Sequence, residues 1–502
     1  MTVPRAPLRR LLPAVLAAFA ALSGVQPARA AAVAQDEAVL GAALAALQVL
    51  HVEPQRPPER LAAGLRGLVR AEPRLSVTLS REGLELAIGS GFRSMLPAPP
   101  ESDPAAWGRT GAAAIAASAA ASPRLRELAP IRRRGLVLEE MASGLDPYTR
   151  FVPAADAAAR RTALMGIGDA GLTLRPDRAG AVVTGIVPEG PAWRAGLLLG
   201  DRVSAIDGIP TRGLDADALA DALSGEAATS LSLSVSRRGE PPRSVLVVRA
   251  AVVPETARLD WADGIPVITV SAFGRDTEQV VARLVAGLAA RKPQPSGLVL
   301  DLRGNRGGIL QQAVGVADVF LASGEVMHVR GRHPDASRTY LAGGADLAEG
   351  MEIVVLVDGR TASAAEALAA ALHDLGRARL VGAATQGKGL IQIVHPLPDG
   401  AELHISWARL LSPAGVALQE NGVMPDLCTS RGAALARTQA AALLDSPATP
   451  PVDAWREAAS AAAVRTGCPP ATGGALDMEA ALWLLRRSIA AAPATPEGAP
   501  PR

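Results

Sequence analysis

The chain has 502 residues, enough for about two to four domains and at least one large core. Its 51 basic and 49 acidic side chains leave a net charge of +2, so no strongly charged partner is implied. Aromatic residues are only 3% of the chain and no basic tract is interleaved with them, which argues against nucleic-acid binding. There is no CxxC or HExxH, and the six histidines lack metal-ligand spacing. Neither a metal nor a cofactor is expected.

Residues 1–30 read as a signal peptide. Arg5, Arg9 and Arg10 form a positive start, Leu11 to Leu22 an apolar run, and Ala28-Arg29-Ala30 a small-residue cleavage site near Ala30. The apolar run is shorter than the ~20 residues a membrane span needs. No later segment reads as long and apolar enough to span, so the expectation is a soluble protein of the periplasm or another exported location. Cys428 and Cys468 would then meet an oxidising compartment, as one disulfide or as two free thiols.

Residues 31–133 read as mostly helical, beginning with Leu40, Leu44, Leu47 and Leu50 at helical spacing. Within 71–134, SVTLSREGLELAI alternates only partly, and no role is assigned. Residues 134–162 hold a short helix ended by Gly144, then a turn and a linker. Residues 163–250 read as a β-rich unit: strands at 171–174, 181–187, 202–208, 230–237 and 244–250, with helices at 190–197 and 215–224. Residues 251–430 alternate strand and helix, which implies an α/β core. Residues 431–502 carry two alanine-rich helical stretches and read as a peripheral tail.

The stretch Val354 to Gln392 organises the chemistry. The apolar run Val354–Val357 is a buried strand broken by Asp358-Gly359, and Ser363 heads an alanine-rich helix. Free backbone amides and the positive end of the helix dipole meet at such a serine. Alone, Ser363-Ala-Ala-Glu366 is a capping box. Lys388, one of only two lysines with Lys292, stands between Gly387 and Gly389. Burial can make an amine neutral near physiological pH but not a guanidinium, so a lysine here can serve as a base. A glycine loop, Asp301 to Gly308, follows another strand. With Ala364, the amides of Gly307 or Gly308 would hold a developing oxyanion. If the chain after Lys388 runs as a strand, Gln392 falls on the lysine's face at even spacing and would orient its amine. No GxSxG elbow or SxxK is present.

Two resemblances join these signals. EGPAWRAGLLLGDRVSAIDG, with its small helix, Ala-Gly-Leu and Gly-Asp, resembles a PDZ domain of the circularly permuted bacterial form. Such a domain adds a peptide as a strand and holds its C-terminal carboxylate on a loop. By resemblance that loop lies near Gly171-Leu172, with Met165-Gly166-Ile167-Gly168 a second candidate. DLRGNRGG, the serine-to-lysine stretch, SGLDPYTRFV, and ARLLSPAGVALQENGVMPD together resemble the tail-specific, or C-terminal processing, serine peptidases of the S41 family.

That resemblance implies a multidomain α/β protein: a spiral, crotonase/ClpP-like protease core, an inserted PDZ domain and a helical N-terminal region. It implies an endopeptidase with a Ser363–Lys388 dyad, supported by Gln392, with Glu366 at a further supporting position. Its partners would be proteins or peptides bound by their C-termini, and self-association is left open. Arg306 stands where the family usually has proline, and PYT replaces the commoner PHS. Two other readings compete, a proteolytically silent PDZ adaptor and an enoyl-CoA-hydratase-like enzyme.

Overall fold

The computed structural model describes residues 12–158, 167–178, 180–187, 189–251, 256–445 and 466–491. The chain divides into two compact units, Met1–Val152 with Glu255–Arg502, and Pro153–Pro254.

In the first unit, a six-stranded sheet runs in the order 257–262, 265–270, 297–301, 352–357, 378–382, 427–428. It is parallel from 265–270 onward, with an antiparallel edge at 257–262. Its central strands Gly297–Asp301 and Glu352–Val357 are apolar throughout Leu298–Leu300 and Ile353–Val357 because both faces are covered. Helices Thr277–Ala289, Leu310–Phe320 and Ala364–Asp374 pack against one face. On the other face lie Ala433–Asp445 and Ala475–Ala491, with Ala481, Leu484 and Leu485 fully buried against Val299, Val354 and Leu356. The C-terminal segment is therefore half of the core's cover, not a peripheral tail. Alanine-rich composition hid this, because alanine carries little helical contrast. A disulfide joins Cys428, on the last strand, to Cys468 just before the final helix.

A second, antiparallel sheet contains Arg338–Ala342, Gly324–Gly331, Glu402–Leu411 and Leu390–Pro396, with Arg150–Val152 paired to 402–404. This sheet brings the segment around residue 148 beside the strand that follows Lys388.

The N-terminal region is mostly helical, but 71–97 forms a three-stranded antiparallel meander, Leu75–Leu79, Gly83–Ile88 and Phe92–Pro97. Helix Leu12–Leu50 crosses helix Pro104–Ala121 at Gly41 and Gly108. A Cβ on Gly108 would lie 2.6 Å from the Gly41 nitrogen, so the two backbones touch. Contrary to expectation, one segment beyond the leader, Ala30–Leu50, is long and apolar enough to cross a membrane. Its apolar face, Val39, Leu40, Ala43, Leu44 and Leu47, is buried in the fold. Arg5, Arg9 and Arg10 lie outside the described residues.

Arg134 ties this region to the α/β body. Its guanidinium, 2% exposed, donates to Asp36 at 2.6 Å and to Asp399 at 2.8 Å. Truncating one member of such a cluster leaves uncompensated buried charge. Arg134→Ala is expected to lower unfolding free energy by about 3–5 kcal/mol, read by urea denaturation.

A second buried cluster lies at the end of helix Ala364–Asp374. Burial opposes charging of His373, but Asp374 and Asp426, each 3.1 Å from a ring nitrogen, raise its pKa to about 9. The folded value lies above the ordinary ~6.5. The stability it contributes is therefore complete below about pH 6.5 and lost as pH rises through about 9. Thermal melts should show the midpoint falling over that interval, and His373→Gln should flatten the fall.

The second unit carries a sheet ordered 243–248, 230–236, 202–206, 180–186, 172–177, and a small ribbon of 225–226, 167–169 and 250–251. Helices Pro191–Arg194 and Ala216–Leu223 complete it, around a core that includes Val203, Leu219, Leu231 and Leu233.

Candidate active site

Strand Glu352–Val357 ends at Asp358, whose buried carboxylate organises the turn. One oxygen accepts from the amides of Gly304, Arg360 and Thr361, and the other from Gly473. The Thr361 hydroxyl donates to the Leu302 carbonyl. The glycine loop, the serine turn and the C-terminal segment thus share one anchor. Gly359 adds a bond to the Ala471 carbonyl at 2.8 Å.

Ser363 follows at φ 60°, ψ −121°, and helix Ala364–Asp374 starts behind it. A non-glycine residue at positive φ is held there only by its surroundings. The glycine loop presses on it: a Cβ on Gly307 would lie 2.9 Å from Ser363 Cβ and 3.1 Å from the Ala364 nitrogen. Only glycine permits that approach, at φ 94°. Asn305 fixes the loop by donating to the Val270 carbonyl and accepting from Gly307 N–H at 2.8 Å. This corrects one expectation, since the Gly307 amide is already committed to Asn305. The Gly308 amide has no partner among the described residues.

Glu366 is fully buried and accepts four hydrogen bonds. One oxygen takes Thr385 Oγ1 at 2.5 Å and Gly387 N–H at 2.6 Å; the other takes Ser363 N–H at 2.7 Å and Lys388 N–H at 2.9 Å. Burial pushes its carboxyl pKa up, against these four donors, which favour the ionised form. A single carboxylate oxygen therefore holds the backbones of Ser363 and Lys388 together.

Lys388 is half-buried. The glycines on both sides let the segment 418–420 pass at backbone contact, since a Cβ on Gly389 would lie 2.1 Å from the Gln419 nitrogen. The following strand begins only at Leu390, so Lys388 lies outside it and the even-spacing argument for a shared face does not apply. Lys388 and Gln392 meet instead at Tyr148. The lysine Nζ lies 5.3 Å from the Tyr148 ring centroid, and Gln392 Nε2 donates to the Tyr148 carbonyl at 2.5 Å. Gln392 thus acts on the backbone beneath the amine, not on the amine.

Tyr148 is itself held from below by Asp146, which accepts from the amides of Tyr148 and Thr149, from Ser406 Oγ, and from His51 Nε2 at 3.0 Å. Burial raises the Asp146 pKa, but these donors outweigh it and hold the carboxyl well below its usual range.

Of the residues expected to bind a peptide C-terminus, Gly171 has φ 71° and donates its N–H to Asp169 at 2.6 Å. Leu172 begins strand Leu172–Asp177, an edge of its sheet, with helix Ala216–Leu223 beside it. That edge is the geometry strand addition requires. Gly168 is not in a loop but pairs with Gly225 and Ala251 in the small ribbon. Met165 and Gly166 lie outside the described residues.

Residues 264–429 match peptidase family S41, and residues 182–237 match a PDZ domain. A carboxy-terminal-processing protease of Bartonella bacilliformis is 31% identical over 291 residues, 57% of this chain and 67% of that protein. A carboxyl-terminal-processing protease of Picosynechococcus sp. is 33% identical over 309 residues, 59% and 74% of the two chains. The chain belongs to the C-terminal processing proteases of peptidase family S41. Among solved structures, the photosystem II D1 C-terminal processing protease aligns at 29% identity and TM-score 0.37, over 62% of this chain and 87% of that one. The S41 segment contains the Asp358 turn, Ser363, Glu366 and Lys388, and the PDZ segment is carried in the second unit, so the chain is a multidomain protease.

Reading the sequence missed Asp358, Asn305, Thr385 and Tyr148. Asp358 was legible only as a strand breaker, and Tyr148 only as a departure from PHS. Glu366→Gln keeps size and burial but turns an NH2 toward amide donors. It is expected to lower kcat about 100-fold through misplacement of the loops, with the fold retained by circular dichroism. Turnover of a fluorogenic tail peptide reads the loss.

Proposed function

We propose that the chain is an exported endopeptidase that binds the C-terminal tail of a protein on its PDZ domain and cleaves it with a serine–lysine dyad. The observation that carries this reading is the Glu366 oxygen shared by the Ser363 and Lys388 amides. It supports Ser363 as nucleophile and Lys388 as general base, brought together from segments 25 residues apart in sequence.

In the acylation step, Ser363 Oγ bonds to the scissile carbonyl carbon while its proton passes to Lys388 Nζ. The amides of Gly308 and Ala364 receive the developing oxyanion, Ala364 being the first residue of its helix and free of an intrahelical acceptor. The lysine then gives that proton to the leaving amine as the C–N bond breaks. The neutral Lys388 amine next takes a proton from water as the water oxygen bonds to the acyl carbon, and returns it to Ser363 Oγ as the ester bond breaks. Gln392 supports the lysine through Tyr148. Glu366 positions both.

The domains we assign are a leader at 1–30, a mostly helical region at 31–133, the start of the protease core and a linker at 134–162, the PDZ domain at 163–250, the catalytic core at 251–430, and a C-terminal helical, Pro/Ala-rich segment at 431–502. We read the core as the spiral crotonase/ClpP-like type. In the PDZ domain, edge strand Leu172–Asp177 would receive the tail, with the turn at Gly171-Leu172 near its carboxylate. The leader and the Cys428–Cys468 disulfide both favour export to an oxidising compartment.

Ser363→Ala and Lys388→Ala are each expected to lower cleavage of a tail peptide by on the order of 10⁴-fold or more, with peptide affinity at the PDZ domain unchanged by fluorescence anisotropy. Undiminished cleavage by either variant overturns the dyad. Failure of an activated phosphonate to label Ser363 would favour the silent adaptor.

A further inference from the structure

We propose that Tyr148 is the electrostatic partner of the base, stabilising through its ring the ammonium that forms on Lys388 during acylation. The inference rests on the serine–lysine reading and adds a third side chain to it. Three observations and one general property of lysine converge on this residue.

First, the Lys388 amine makes no hydrogen bond or ion pair among the described residues, and the Tyr148 ring lies over it, 5.3 Å from centroid to Nζ. That lies within the range at which an aromatic face attracts a cation. Second, the carboxylate that binds the lysine loop, Glu366, has both oxygens taken by the Thr385 hydroxyl and the amides of Gly387, Ser363 and Lys388. It is a scaffold for the lysine's backbone and not a counter-ion for its amine. Third, a lysine amine sits on a flexible four-carbon stem and needs a surface to define its place. Fourth, Tyr148 is itself held in place: Asp146 accepts from its amide and Gln392 donates to its carbonyl.

The chemistry explains why a ring suits this position. When Ser363 Oγ bonds to the scissile carbon, its proton moves to Nζ and a positive charge appears where there was none. A π face attracts that charge but scarcely interacts with the neutral amine, so its effect is concentrated where the proton has been transferred. When the proton leaves for the departing amine, the attraction ends with it.

The test is a series at position 148, in the full-length enzyme, at a pH on the plateau of the rate profile. Tyr148→Phe keeps the face and should retain activity within about threefold, whereas Tyr148→Leu should lower kcat about tenfold with KM unchanged. Placing mono-, di- and trifluorophenylalanine at the same position weakens the face with little change of volume. The rate should fall with each fluorine, a trend that a merely structural ring would not give. A flat fluorine series in an enzyme that Lys388→Ala inactivates overturns the role of Tyr148 and leaves the dyad standing. An active Lys388→Ala enzyme overturns the dyad itself. The fluorinated variants keep the test valid if Tyr148→Leu fails to fold.

Discussion

The buried carboxylate of Glu366 is the constraint on which the catalytic centre depends. A charge removed from water costs several kcal/mol unless it is fully hydrogen-bonded, so its position is legitimate only where donors surround it. Here the donors come from two separate segments, the serine turn and the lysine loop. Neither segment can move away without stranding the charge. The same balance tolerates the left-handed backbone of Ser363. Strain of that kind costs about 1–3 kcal/mol, while each hydrogen bond to a charged group is worth about 1.5–3 kcal/mol.

Around this centre, the loops are fixed by parts of the chain that lie outside the segment matching the peptidase family. Asp358 fastens the glycine loop at Gly304 and the serine turn at Thr361, and its remaining oxygen is satisfied by Gly473. The neighbouring Gly474 donates to Asp477 of the final helix, which also pairs with Arg303, while the disulfide at Cys468 limits how far this segment can stray. On the opposite side, Arg134 links Asp36 of the first helix to Asp399 of the core, and His51 of the same N-terminal region supports Asp146. The glycine loop and the platform beneath the lysine are thus each braced by an appended region.

Much of this was readable from residues alone, for reasons that are themselves physical. The parallel strands stand out because two-sided burial demands unbroken apolar runs such as Val354–Val357. The glycine loop stands out because close backbone approach excludes side chains, as Gly307 against Ser363 shows. What escaped was whatever depends on distant partners. Asn305 looks like any loop residue until its side chain is seen to take the Gly307 amide. Asp358 looks like a breaker until Gly304 and Gly473 are placed beside it. The C-terminal helices, rich in alanine, lack the contrast between faces that periodicity needs, yet bury Leu484 and Leu485 completely. Gln392 failed for a local reason: the strand begins only at Leu390, so counting by twos from Lys388 crosses residues that are not extended in the sheet.

On the proposed serine–lysine reading, the arrangement also bears on why a carboxylate so close to the lysine does not pair with its amine. A carboxylate bound to the ammonium would favour the charged form at all stages and oppose the loss of a proton that general-base work requires. Glu366 avoids this by offering its oxygens to amides and to the Thr385 hydroxyl, so its charge sets the geometry of the loop. The amine is left against an aromatic face, whose attraction for a cation is weaker than an ion pair. A base that must alternate between two charge states is better served by a partner that responds to the charge without locking it in. In this fold the two tasks are divided: Glu366 holds the lysine's backbone, and Tyr148 meets its amine.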